Sequence, residues 1–428
     1  MSGQQVSGQC PVAHDFDLFG SQFQSNPGGS LRAARAEQPV FYSPDIDYYV
    51  VTKYDDVRAV FFDHESFSPG IATEPIAPLS DPAVATLERH GFKKVMTLGV
   101  EVEPVHSRLR RRLSEPFSAA TVRTLEPRIR EVVNHYVDGW VKDGHVDLVA
   151  GVLHETPAVV ALEFLGVPDE DIAATKQYAE GIIKFVFGHP TEDEQVQICD
   201  HMGQHQKYSL ELVQRLIESP DGPGFLRHAV RAYLEDPQDL SVEYLSGLAM
   251  NGLAAAHETT SNSLANAFRL LLQHRDNWDA ICDDPSLVPG AVEECLRLGM
   301  PVATWRHLCV KDTTIGGVDI PAGGRVLMVL ASANHDEAIF ENPEVFDIRR
   351  TNAKRQLAFG TGNHVCLGAR LARMQMQVTI EELARRLPHM RLVPGQSFDH
   401  LVTAAVGGPL ELFVEWDPAA NPEPEDRP

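Results

Sequence analysis

The chain has 428 residues, 43% of them hydrophobic and 23% charged, which suits a globular protein with a sizeable core. Its 37 basic residues against 60 acidic ones give a formal net charge of −23, which argues against nucleic acid or an anionic membrane as partner of the whole surface. The six cysteines include no C-x-x-C pair; that argues against a zinc site and fits a reducing cytosol.

Residues 1–27 are polar and rich in Gly, Gln and Ser and are expected to be poorly ordered. The opening Met1-Ser2-Gly3-Gln4-Gln5 has no basic segment leading into an apolar run, and no stretch reaches the length of a membrane span, so neither signal peptide nor membrane contact is expected. A cytoplasmic location follows. Val40–Tyr42 and Tyr48–Thr52 read as short strands, and Tyr54–Phe62 as a short helix. Residues 65–103 hold many Pro and Gly and read as one long irregular loop, a length that is usually functional.

The spacing predicts a helix over Pro104–Leu113, with His106 and Arg110 four apart on one face. Helical runs follow over 126–140, 151–165, 169–186 and 193–217, with a short strand at Val146–Val149. Residues 241–274 read as one long helix with Ser241 as its N-cap. Mid-helix stands Ala255-Ala256-His257-Glu258-Thr259-Thr260. A Thr inside a helix bonds the carbonyl four residues back, here Ala255, and opens the helix locally. Ala291–Leu298 carries Glu294 and Arg297 three apart, on one face of a helix. Residues 315–331 and 391–416 read as strands and turns, and 417–428 as a disordered acidic, Pro-rich tail.

The most informative stretch is Phe359-Gly360-Thr361-Gly362-Asn363-His364-Val365-Cys366-Leu367-Gly368, with a helical run to Leu387 behind it. A thiol there meets the positive end of a helix dipole and nearby N–H groups, which favour thiolate. The glycines let backbone approach a flat ligand where a Cβ would clash. The pattern Phe-Gly-x-Gly-x-His-x-Cys-x-Gly resembles the haem-binding loop of the cytochrome P450 monooxygenases.

That resemblance implies a mainly α fold with a smaller β region, a triangular helical prism around a long central helix, over residues 28–416. It implies haem b (iron protoporphyrin IX) ligated by Cys366, with Phe359, Gly360, His364, Gly368 and Ala255 against it, and its propionates on His106, Arg110 and Arg306. Thr259 and Glu258 become the catalytic alcohol and the acid that brings protons from outside. Val302, Ala303, Ala405 and Val406 join Ala255 in an apolar pocket for a hydrophobic small molecule. The family pairs Glu294 and Arg297 in a buried ion pair, usually completed by a third basic residue.

This chain departs twice, with Ala256 where the family has Gly, and Val345 at the third basic position; Arg349 and Arg350 are the candidate substitutes. Arg108, Arg110, Arg111, Arg112, Lys354, Arg355, Arg370 and Arg373 are expected to form a basic proximal patch for a ferredoxin or flavodoxin-like partner. Cys10-Pro11-Val12-Ala13-His14 and Glu415-Trp416-Asp417-Pro418 resemble haem domains fused to a phthalate-dioxygenase-type reductase. The implied activity is O2-dependent hydroxylation or O- or N-dealkylation. A peroxide-driven peroxygenase and a non-catalytic haem-binding sensor are the alternatives.

Overall fold

The computed structural model describes residues 16–179 and 181–422; the Cys10–His14 stretch and residues 423–428 of the expected tail lie outside them. Order begins earlier than the sequence reading placed it. Ser21–Ser25 is helical, and Phe16 packs edge-on against Phe23 and Phe41 with ring centroids 5.5 and 5.7 Å apart. Those aromatics overrule the polar composition around them, because burying a Phe contributes about 1.5–3 kcal/mol.

The β region is built on a five-stranded sheet in the order Val40–Ser43, Tyr48–Val51, Arg325–Val329, Thr304–Cys309, Phe67–Ser68. Its centre pairs Arg306 with Leu327 and His307 with Val326 across antiparallel strands. Side chains alternate between the faces of a sheet, so Arg306 and His307 leave on opposite sides.

The helical body packs around Glu258–Gln273, Val288–Leu298 and Ala369–Arg386. Leu264, Phe268 and Leu271 recur at helical spacing and are fully buried, as are Val292 and Ile380 on the neighbouring helices. Tyr54–Phe62 is a helix as read. The region 65–103 is not one loop: Asp81–His90 is a helix, capped by the Ser80 hydroxyl and ended by Gly91 at φ 62°. Its signals were ordinary ones, Ser at N-cap, Pro in the first turn and Gly just past the end. It packs on the long Glu192–Glu218 helix, where Ala83 meets Cys199 and Ile198.

The helix expected over 241–274 is divided. Val242–Ala256 ends and Glu258–Gln273 begins at His257, whose backbone sits at φ −80°, ψ −75°. The His257 ring Nε2 donates to the His154 carbonyl at 3.0 Å, a tertiary bond that pins the break in place.

Beneath the body, Glu294 and Arg297 are fully buried and joined by two hydrogen bonds of 2.7 and 2.8 Å. The third cation is Arg350, whose Nε reaches Glu294 at 3.1 Å. Val345 lends only its carbonyl, which accepts from both Arg297 and Arg350. Arg349 takes no part in this cluster; its backbone N–H turns to Asp347.

Candidate active site

Cys366 lies between the short 3-10 turn Gly362–His364 and the Ala369–Arg386 helix. Its N–H donates to the Phe359 carbonyl at 2.8 Å, which closes the loop. Gly360 and Gly362 sit at φ 64° and 71°, the left-handed region that favours glycine. A Cβ on Gly362 would stand 2.8 Å from the Phe61 carbonyl oxygen, so this loop is packed tightly on the Tyr54–Phe62 helix. Phe359 carries the Arg373 guanidinium over its ring at 4.4 Å.

Burial pushes the Cys366 thiol up, while the N–H groups of Gly368 and Ala369 and the charges of Arg110 and Arg373 oppose it. The helix-end effects expected from sequence therefore act in the expected direction but do not dominate. A coordinating metal deprotonates a thiol outright.

The Val105–Leu113 helix delivers His106 and Arg110 to this loop. His106 is fully buried, and its ring stacks on His364 at 3.7 Å and 24°. Arg110 donates to the Val365 carbonyl at 2.7 Å. Glu103 ties the two segments together, accepting from Ser107 at 2.7 Å and from Asn363 at 2.9 Å, with the His106 Nδ1 at 3.3 Å. Burial works to raise the Glu103 carboxyl, yet hydrogen bonds from Ser107, His106 and Asn363 bring it down to about 2. Sequence reasoning assigned Glu103 and Asn363 no role.

Arg306 does not join this group. Its guanidinium donates to the carbonyls of Ala72 and Glu74 at 2.8 and 2.7 Å and lies over the Phe187 ring. Its neighbour His307 does: the ring is buried, edge-on to Phe61 at 5.6 Å, and lowered to about 3 by burial first and the His364 ring second. The signal was the alternation of a strand, but which face looks toward the cysteine loop depends on pairing with Arg325–Val329, which is not local in sequence.

On the Val242–Ala256 side, the Thr259 hydroxyl donates to the Ala255 carbonyl at 2.6 Å, as its spacing predicts. Glu258 follows the break directly and is held up to about 7 by burial, with His154 pulling the other way. Val302 and Val406 form a β-bridge, and the Ala303 N–H donates to the Ala405 carbonyl at 2.7 Å, so four of the five residues expected in the pocket lie together. Ile183 and Phe187 close over them.

Does this arrangement fit haem? Buried polar atoms without a partner gather here: His106 Nε2, His364 Nδ1 and both ring nitrogens of His307. A buried polar group left unpaired costs about 1–3 kcal/mol. Several in one place, around a single cysteine and a pair of positive-φ glycines, suit a flat thiolate-bound ligand with anionic edges. The residues fit.

The Cytochrome P450 family model matches residues 285–394. The chain is 35% identical over 390 residues to the vitamin D(3) 25-hydroxylase of Pseudonocardia autotrophica, covering 90% of this chain and 92% of that protein. An intact type IV self-sufficient cytochrome P450 monooxygenase superposes with a TM-score of 0.96 at 48% identity, over 97% of this chain; the chain spans only 55% of that protein's length. The P450 heme domain of Tepidiphilus thermophilus gives a TM-score of 0.94 at 42% identity and is covered over 99% of its length. With a relative 35% identical over nine-tenths of both chains and an overall course shared at TM-scores of 0.94 and above, the chain belongs to the cytochrome P450 family of haem-dependent monooxygenases.

Proposed function

We propose that this P450 hydroxylates, or O- or N-dealkylates, a hydrophobic small molecule. Haem bound through Cys366 supplies the activation of O2 and the transfer of one oxygen atom. The residues of the chain do the rest. His106, Arg110, His307 and His364 hold the anionic edge of the cofactor through charge-assisted bonds. Val302, Ala303, Ala405 and Val406 exclude water and orient an apolar substrate. Glu258 carries protons in from solvent, and Thr259 holds them where the reaction consumes them.

The observation that carries this reading is the Thr259–Ala255 hydrogen bond at the helix division, with a carboxyl held near neutrality beside it. A haem carrier or sensor has no use for an acid and an alcohol at that point. A peroxide-driven enzyme has little.

Electrons come from a ferredoxin, a flavodoxin-like protein or a phthalate-dioxygenase-type reductase docked on the proximal face. The likeness to an intact self-sufficient enzyme supports the last of these. Exposed Arg111, Lys354, Arg355 and Arg370 are the charges left to meet such a partner. Arg108 is bound to Asp239, and Arg373 to Glu293.

The test is a difference spectrum of the reduced protein with carbon monoxide, then a spin-shift screen of hydrophobic ligands. A Soret band of the thiolate kind that is lost in Cys366→Ser, together with substrate-dependent consumption of O2, is the expected result. A colourless protein after reconstitution, or an adduct unchanged by Cys366→Ser, sinks the reading.

A further inference from the structure

Arg306 is a buried cation that the cysteine loop does not use. It is 2% exposed and leaves the Thr304–Cys309 strand on the face turned away from His307. Its Nη2 serves the carbonyls of Ala72 and Glu74. Its Nε is buried and has no partner. Tyr48 supports the charge from the Tyr48–Val51 strand, while burial works against it. Among the described residues no carboxylate is paired with it; that of Glu74 faces Lys94 at 3.6 Å. A buried ion is stable when it is paired and its donors are met. This guanidinium is half of a pair.

Its surroundings are the roof of the apolar pocket. The guanidinium lies over the Phe187 ring at 5.2 Å, and the same side chain packs with Ile183, Ala405 and Val406. Backbone bonds tie the covering segments together. The Ile76 N–H donates to the Val186 carbonyl at 3.1 Å, and the Ala404 N–H to that of Phe187 at 2.6 Å. Phe187 is therefore a shared wall, with the pocket on one side and the unanswered cation on the other. It ends a helix of six residues, Ile182–Phe187, in which few intrahelical bonds resist a local shift.

We propose that the substrate is a hydrophobic carboxylic acid, and that Arg306 sets this specificity by donating from Nε to one carboxylate oxygen while the Phe187 ring turns aside. One free N–H and one positive charge match a monoanion rather than a phosphate dianion. The acid neutralises the buried cation, and its apolar body lies against Val302, Ala303, Ala405 and Val406. The anchored end then fixes which carbon is oxidised. This rests on the reading of those residues as the pocket of a monooxygenase.

The test uses the haem-loaded protein, wild type and the Arg306→Met and Arg306→Lys variants. Para-alkylbenzoates and the carboxamides of the same acids are compared by the spin shift each induces at pH 8, where the acids are ionised. Wild type is expected to bind each acid about ten- to a hundred-fold more tightly than its amide. In Arg306→Met that ratio should fall to about one, and Arg306→Lys, which keeps the charge, should retain a preference for the acid. Taking the ratio cancels a general loosening of the pocket, and the wild-type and Lys measurements decide the matter even where Arg306→Met does not fold. Equal binding of acid and amide by the wild type overturns the proposal and leaves the monooxygenase reading standing. So does a preference for the acid that survives in Arg306→Met. Haem lost from Arg306→Met makes Arg306 a cofactor ligand and overturns the proposal too. A wild type without the thiolate Soret band fails the monooxygenase reading itself.

Discussion

The Thr259 hydroxyl spans the division of the central helix to reach the Ala255 carbonyl at 2.6 Å. A hydroxyl has one proton to donate and two lone pairs. With its proton committed to Ala255, Thr259 is left as an acceptor, able to steady a proton that another group brings.

Removing that hydroxyl is expected to separate electron use from product. In Thr259→Ala, product should form about 10²-fold more slowly, while reductant is still consumed and appears as hydrogen peroxide. Thr259→Ser keeps the oxygen and should recover most of the coupling. Assays of product and peroxide per electron decide it. Unchanged coupling in the Ala variant would exclude the hydroxyl from proton delivery, and a sensor would show no substrate-linked oxygen use in either protein.

His307 and Arg306 can be told apart by the haem itself. Loss of a charge-assisted hydrogen bond weakens binding by about 1.5–3 kcal/mol, roughly ten- to a hundred-fold. His307→Leu should therefore raise the rate of haem transfer to a scavenger protein by that order. Arg306→Met should leave haem transfer unchanged, because Arg306 spends two bonds on the carbonyls of Ala72 and Glu74. Faster haem loss in Arg306→Met alone would restore Arg306 as the cofactor ligand.

What the sequence made legible was the part that depends on neighbours along the chain. The Thr259–Ala255 bond spans four residues and the Glu294–Arg297 pair three, so helical spacing alone placed both. His106 and Arg110 reached the cysteine loop for the same reason. What escaped depends on distant segments. Only pairing with Arg325–Val329 decides which way His307 points. The helix division is held by a carbonyl 103 residues away. The sequence offered Arg349 and Arg350 as substitutes for the cation missing at Val345; that Arg350 takes the place follows from the loop folding back on Glu294, which no local pattern reports. The Asp81–His90 helix is a different case. Its caps were in plain view, and the Pro and Gly around it outweighed them.

The Glu294 cluster carries a stability prediction. Glu294 and Arg297 are fully buried, and Arg297 also serves the carbonyls of Asn334, Pro343 and Val345. Truncating one partner of a buried pair costs about 3–5 kcal/mol. Arg297→Leu should lose that much in thermal or denaturant unfolding, and Arg350→Leu less, because Arg297 still holds Glu294. Arg349→Ala, outside the cluster, should stay within about 0.5 kcal/mol of wild type. A loss in Arg349→Ala equal to that of Arg350→Leu would contradict the assignment of the third cation.

On the proximal face, Arg111 and Arg112 should part company. Arg111 is exposed, and no ion pair to it is found among the described residues. Arg112 instead donates to the carbonyls of Gln238, Ala232 and Asp236 and braces the end of the Phe225–Glu235 helix. Arg111→Glu is expected to slow reduction by an acidic partner at low ionic strength, with the difference vanishing at high salt as screening sets in. Arg112→Ala is expected to lower the melting temperature. Reduction kinetics across a salt series would exclude the docking role of Arg111 if the variant and wild type run together at every ionic strength.

Glu258 links the proton path to the stability of the fold. Burial raises its carboxyl from 4.5 to about 7, so between those values the folded protein binds a proton that the unfolded chain has released. By linkage, stability falls as pH rises through that window and levels off above it. The full effect of a shift this size is about 3 kcal/mol. Glu258→Gln carries no such proton and should be the more stable protein at pH 8, while near pH 4 the two should unfold alike. Coupled turnover in the wild type should decline as pH rises through about 7, as the acid form is depleted, and the Gln variant should show a low yield without that decline. Unfolding curves for both proteins at the two pH values check the first half. If wild type and variant keep the same difference at both, folding does not raise the carboxyl and it is not poised to deliver a proton.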